Sequence, residues 1–139
     1  MIGWWSYGDQ LKMMEINMPA YNFKSRFVEP IQSGEKNTTI RPCRKRPTRI
    51  GDTLYLFTGQ RTKACRKIGV YRCKNVTPLI IYPMLMRVDC DGKMMTIAAR
   101  KLLSLNDGFS ILEDFFFFFR DQYGPVRLIM ELITWEPFS

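Results

Sequence analysis

Ser33-Gly34-Glu35-Lys36-Asn37-Thr38-Thr39-Ile40-Arg41 is the stretch on which the reading of this chain turns. Gly34 stands where a left-handed helix C-cap belongs, and the residues before it allow a helix of about two turns with Pro30 tolerated in its first turn. After the glycine, 38–41 is rich in β-branched residues and is followed by Pro42, which a central strand would not tolerate. Period-2 alternation then puts Thr39 and Arg41 on one face and Thr38 and Ile40 on the other. Ile40 is the natural core residue, so Thr39 and Arg41 are expected to look outward, toward whatever Lys36 faces. Lys36 is a candidate general base, Thr38 and Thr39 candidate nucleophiles or donors, and Arg41 a candidate anion clamp. An ordinary helix-to-strand turn on a basic protein carries the same residue types, so both readings stand at this point.

Working outward, the chain reads as short strands with short connections. Residues 41–49 form a basic, proline-punctuated loop, with Asp52 closing the turn before a strong strand at 53–58 that Gly59 ends. A second basic loop, 60–67, leads to strands at 68–76 and 79–82. The Asp91-Gly92 pair centres a hairpin over 84–97, with Met84, Met86, Val88 and Cys90 on one core-facing side. A short helical turn is expected at 100–105 and a loop at Asn106-Asp107-Gly108. Ser110 with Glu113 three residues on matches a capping box, predicting a helix over 111–123 that Gly124-Pro125 stops. The phenylalanines at 115–119 cover more than one face of it. A last alternating strand runs over 127–135, in the sheet centre. The fold class is therefore α+β: a mostly antiparallel, barrel-like sheet of about six strands flanked by two helices. Residues 1–21, with Trp4-Trp5 and Met13-Met14 but no sustained period, read as an N-terminal extension to a single domain over 22–139.

Charge supplies the second signal. The formal net charge is +8. Residues 41–74 carry eleven basic side chains against Asp52 alone, whereas 1–40 carry four of each sign and 75–139 carry six basic against eight acidic. A basic excess confined to one segment is the footprint of a polyanion-binding face, against the plainer reading of a solvated basic surface. No apolar run approaches the ~18 residues that a membrane helix needs. The N-terminus lacks the pattern of a signal peptide, so the expected location is cytoplasmic. There is no histidine, and the cysteines at 43, 65, 73 and 90 form no C-x-x-C pair. Zinc fingers, histidine triads and facial iron sites are thereby disfavoured, and neither a metal nor a cofactor is expected. Any catalysis must draw on lysine, hydroxyls or carboxylates.

The ordered set F-K-S-R-F-V-E-P-I-Q-S-G-E-K-N-T-T-I-R, P-x-x-x-G-D-T-L-Y-L-F-T-G, T-K-A-C-R-K-I-G-V-Y-R-C, D-G-F-S-I-L-E-D-F-F-F-F-F and a closing strand ending at Trp135 resembles the ASCH domain family, a relative of the RNA-binding PUA domains. The resemblance covers about residues 22–137. It implies a small PUA-like β-barrel with a cleft, and RNA or a modified nucleoside as partner. One branch of that family hydrolyses the acetyl amide of N4-acetylcytidine with a lysine, a threonine and a glutamate. Lys36 and Thr39 match the first two, and Asp107, one methylene shorter, is the best match for the third. Other members bind RNA without chemistry, or cleave it.

In the amidohydrolase reading, Lys36 takes the Thr39 proton and the Thr39 oxygen attacks the acetyl carbonyl. Amides near Asn37 and Thr38, or Arg41, hold the oxyanion, Asp107 orients Lys36 or handles the leaving-group proton, and water releases acetate. A lysine base at neutral pH needs its pKa lowered by roughly 3 units, which burial and the 41–49 cations favour and an ion-paired Asp107 would oppose. Glu113 is the competing carboxylate, already explained by the capping box. Arg41, Arg44, Lys45, Arg46, Arg61, Lys63, Arg66 and Lys67 are the expected RNA or phosphate contacts. A P-loop reading of G-E-K-N-T fails for want of its upstream glycine and adjacent G-K-[ST].

Overall fold

The computed structural model describes residues 19–138, so the expected N-terminal extension lies outside the described residues as far as residue 18. The chain divides into two compact units, one of Met1–Asn37, Arg46–Asn75 and Thr134–Ser139, the other of Thr38–Lys45 and Val76–Ile133. Two long strands, β4 (Arg66–Tyr82) and β7 (Leu128–Pro137), contribute residues to both.

The first unit begins with β1 (Ala20–Phe23), which pairs in parallel with β3 (Thr53–Thr58). This takes in Ala20 and Tyr21, two residues ahead of the expected start at Asn22. A 3-10 turn (Ser25–Phe27) leads into α1 (Val28–Ser33), which ends at Gly34 with φ 86°, the left-handed conformation that glycine adopts without steric cost. Strand β3 has the bounds that the sequence predicts, and its antiparallel ladder with the first half of β4 slips register at Leu56/Phe57. Its start is fixed by a turn in which Asp52 Oδ2 accepts from the Arg49 amide at 2.8 Å. Gly59, at φ 67°, ends the strand. A Cβ there would stand 2.9 Å from the Ala64 carbonyl oxygen, so the turn requires glycine for space as well as for φ. Tyr21, Phe23, Val28, Ile31, Leu54, Leu56, Phe57, Ile68, Cys73 and Trp135 are its buried apolar residues, with Trp135 edge-on to Phe23 at 5.8 Å.

The second unit holds β2 (Thr38–Pro42), the second half of β4, a 3-10 turn (Pro83–Leu85), β5 (Arg87–Cys90), β6 (Lys93–Met94), α2 (Ile97–Asn106), α3 (Leu112–Tyr123) and most of β7. Its core joins Ile40, Leu79, Ile81, Val88, Leu103, Leu128 and Met130 to Phe115, Phe116 and Phe119. Those three phenylalanines meet edge-on or tilted, at 4.9–5.2 Å between ring centroids, the geometry that aromatic quadrupoles prefer. Phe117 falls on the outer face, 47% exposed, with the Arg120 guanidinium 4.9 Å over its ring. The helix therefore buries one side and caps the other with a cation.

Several expectations are corrected by local chemistry. Residues 66–82 form one strand rather than two, running through Pro78, whose carbonyl accepts from the Asp91 amide at 3.0 Å. Met84 is exposed and Met86 left-handed, because the chain makes a 3-10 turn before β5 begins at Arg87. The methionine stripe therefore contributes only Val88, Met86 and Cys90 to the core. The hairpin at Asp91-Gly92 forms with φ 52° and 83°, the pair of positive values that a type I′ turn requires. Its second strand ends at Met94, freeing Thr96 to cap α2 by accepting from the Ala99 amide at 3.1 Å; a ten-residue helix results where only a short turn was expected. The Ser110 capping box does not form. Ile111 occupies the N-cap of α3 without a side-chain hydrogen bond, and Glu113 and Asp114 lie in the first turn where the helix dipole favours them.

The architecture is α+β, with a mixed sheet and three α-helices among the described residues. β7 pairs with both β2 and β4, while the path β1-β3-β4-β5-β6 stays open, so the strands do not close into the expected barrel. No helix among the described residues is long and apolar enough to cross a membrane.

Candidate functional site

In the first unit, Lys36 is 6% exposed, unlike a solvated turn lysine. Its amide donates to the Pro30 carbonyl at 2.9 Å, which folds the chain back over the end of α1. Its ammonium lies 4.9 Å from the Phe27 ring centroid and 6.0 Å from that of Phe23. Two aromatic faces thus enclose the cation and stabilise it electrostatically while withdrawing it from water.

The same unit carries most of the charge. Arg46, Arg49, Arg61, Lys63, Arg66, Lys67, Arg72 and Lys74 all belong to it and are all exposed. For Arg49, Arg61, Lys63, Arg66, Lys67, Arg72 and Lys74 no carboxylate partner is present among the described residues, whereas Arg87 pairs with Asp89 and Arg120 with Asp121 in the second unit. Arg72 stacks over Phe138, 5.2 Å from its centroid. On β4 it stands opposite Thr53, with Val70 opposite Tyr55. The outer side of this hairpin is therefore a cationic surface interleaved with aromatic rings.

In the second unit, the Arg41 Nε donates to the Thr39 hydroxyl at 2.9 Å. The two share a face, as alternation predicts. Thr39, however, is 4% exposed: its face is covered, not open as expected. Ile40 joins the core with Leu103 of α2 and the α3 phenylalanines, so the helices cover the Ile40 face and Thr39 points to the opposite one. Asp107 is the half-buried C-cap of α2, its amide donating to the Leu103 carbonyl at 3.0 Å. Arg44 is half-buried and Lys45 exposed. Lys36 belongs to the first unit and Thr39, Arg41 and Asp107 to the second, where the Arg41–Thr39 hydrogen bond joins two members of the candidate set.

Sequence reasoning missed Glu131. This residue lies in the middle of β7, 9% exposed, and its Oε2 is buried with no hydrogen-bond partner among the described residues. Burial raises the Glu131 pKa above the usual carboxylate range, opposed by a hydrogen bond with Cys43 and by the charge of Arg44. Cys43 is raised in turn, first by its own desolvation and then by Glu131, which keeps it a protonated donor rather than a thiolate. Cys90 is raised by burial and by Asp91. The signal was an acid interrupting an otherwise apolar alternating strand, L-I-M-E-L-I-T-W.

A cavity of about 410 Å³ lies in the second unit between Lys101, Ser104 and Leu105 of α2 and residues 110–113. Its lining includes none of Lys36, Thr39, Arg41, Asp107 or Glu131. Comparison of the chain with family models, with curated proteins and with solved structures gives no match.

Proposed function

We propose that this protein binds RNA through the basic surface of its first unit. The observation that carries the reading is the set of exposed cations on the 46–49 loop, the 60–67 loop and β4, seven of them without a carboxylate partner among the described residues. Leaving like charges together and unneutralised costs self-repulsion, which a polyanion relieves by exchanging its condensed counterions for these side chains. The neighbouring Arg72, Phe138 and Tyr55 supply rings and a guanidinium plane on which unpaired bases stack. The resemblance to ASCH domains supports the same ligand class, with the PUA-like fold as its frame. Single-stranded RNA titrated at 50–300 mM salt tests the reading. Binding that weakens steeply with salt supports it, and binding insensitive to salt, or absent, refutes it.

A second reading, hydrolysis of the acetyl amide of N4-acetylcytidine, draws on the burial of the Lys36 and Thr39 side chains. Polar groups withdrawn from water are the ones whose reactivity a protein can tune. In this reading Lys36 is the base, Thr39 the nucleophile and Asp107 the acid. The hydroxyl of water ends on acetate, and the amine of cytidine gains the proton. Acetate release from N4-acetylcytidine, lost in both Lys36→Ala and Thr39→Ala, is its test.

A further inference from the structure

The second unit carries a surface that neither reading uses. Wound at about 3.6 residues per turn, α2 turns Ile97, Ala98, Lys101, Leu102 and Leu105 to one side and Leu103 and Ser104 to the other. The latter side is buried, and Leu103 joins the core with the α3 phenylalanines. The former faces solvent: Ile97, Leu102 and Leu105 are each more than half exposed, as is Ile111 at the N-cap of α3. Four apolar side chains and one lysine are not the polar outer face of an ordinary surface helix. Singly exposed apolar residues are common, but a contiguous set marks a surface that another molecule covers. The cavity of about 410 Å³ supplies the contiguity, because Lys101, Leu105, Ile111 and Glu113 all line it.

What covers this face follows from its two charges. Lys101 and Glu113 line the same cavity from different helices, both are exposed, and neither has an ion-pair partner among the described residues. A nucleic acid or an anionic membrane surface is disfavoured, since one cation beside a carboxylate attracts neither. A small molecule would be poorly enclosed, because the lining apart from Ser104 and Leu112 is exposed and a ligand pocket buries most of what it holds. A second copy of this chain supplies both complements at once. Across a twofold axis a residue that meets another is met by it in return, so Lys101 of each copy faces Glu113 of the other while the apolar side chains close together.

We propose that the outer face of α2, with Ile111 and Glu113 at the start of α3, is the twofold interface of a homodimer. Ile97, Leu102, Leu105 and Ile111 supply the affinity through burial of apolar area. The Lys101–Glu113 pairs set register and choice of partner: exposed ion pairs add little strength, but like charges brought face to face oppose association. A ten-residue helix is about 15 Å long, so the face falls short of the roughly 800 Å² per partner of a standard interface. The dimer is accordingly weak, with a dissociation constant on the order of 10 μM. The inference is independent of what the first unit binds.

Sedimentation equilibrium of the full chain from about 1 to about 300 μM, without RNA, tests it. The mass is expected to rise from one chain toward two across that range. Leu105→Glu, Lys101→Glu and Glu113→Lys are each expected to weaken association at least about tenfold. The mixture of the last two is decisive. Lys101→Glu chains bring two acids to the interface and Glu113→Lys chains two lysines, so each repels itself and attracts the other. Their equimolar mixture is expected to associate at least about tenfold more tightly than either alone. A parent chain that stays monomeric overturns the inference, as does a dimer that the three substitutions leave equally tight, or a mixture no tighter than its components. Binding of the apolar dye ANS to a monomeric parent chain, lost in Leu105→Glu, overturns it in favour of a small ligand. The substituted side chains are all exposed, so circular dichroism is expected to show the fold retained, and the parent measurement needs no variant.

Discussion

Replacing Glu131 by glutamine gives a stability change whose sign the structure fixes. The carboxyl is 9% exposed and one of its oxygens has no partner, so in its ionised form it bears an uncompensated desolvation penalty. Burial is the largest influence on its pKa, outweighing the opposing Cys43 bond and Arg44 charge. The folded-state value is therefore above the unfolded one, about 4.3. Between these two values the folded chain holds a proton that the unfolded chain has released, so stability falls as pH rises through that window and is lowest above the folded value. Glutamine has the same shape and no charge at any pH, and its carbonyl still accepts from the Cys43 thiol. Its amino group then takes the place of the unpartnered oxygen, so the substitution removes the buried charge and not the missing hydrogen bond, and the extra cost of burying the charged form is on the order of 1–3 kcal/mol. A chain of this size shifts its melting temperature by about 3 °C per kcal/mol. Glu131→Gln is expected to melt roughly 3–9 °C above the parent at pH 8, with the difference shrinking toward zero near pH 4. Thermal unfolding followed by circular dichroism from pH 4 to 9 measures it, and every other titrating group is common to both chains. A variant less stable than the parent at pH 8, or a difference that does not vary with pH, would refute the reasoning.

Other perturbations give equally definite outcomes. Phe116→Ala, which empties a fully buried position in the core of the second unit, is expected to cost about 3–5 kcal/mol in urea unfolding; Phe117→Ala, on the exposed face, about 0.5 kcal/mol or less. Gly59→Ala forces a side chain into a left-handed turn and against the Ala64 carbonyl, and a loss of about 1–3 kcal/mol is expected by the same assay. Under the hydrolytic reading, Lys36→Ala and Thr39→Ala each abolish acetate release from N4-acetylcytidine while the far-ultraviolet spectrum is retained. Activity that persists in either would sink that assignment.

Local signals in the sequence carried furthest where one residue type decides the backbone. Gly34, Gly59, the Asp52 turn and Asp91-Gly92 each marked an element end that the structure reproduces, because positive φ and side-chain-to-backbone turns are settled within a few residues. Signals went astray where two neighbouring patterns competed. The alternation through Met84 and Met86 was overridden by the 3-10 turn at Pro83, and the hairpin reading concealed Thr96 as the cap of α2. Ser110 with Glu113 satisfied a spacing rule, yet the helix begins one residue later with Ile111 at its cap. For the candidate site, alternation paired Thr39 with Arg41 correctly but could not show that both faces of β2 are covered, since burial of Thr39 depends on residues far along the chain. Glu131 was overlooked for the same reason. An acid in an apolar strand gains meaning only when its oxygen is seen to lack a partner.

The central claim is that the first unit binds a polyanion, and the salt dependence of RNA affinity tests it most directly. With Arg61, Lys63, Arg66 and Lys67 replaced together by glutamine, the slope of log affinity against log salt is expected to flatten by about 0.7 for each phosphate of a single strand that the protein no longer neutralises. Affinity at low salt should fall at least about tenfold, with the melting temperature unchanged, because all four side chains are exposed. An unchanged slope and affinity in the fully folded quadruple variant would contradict the account.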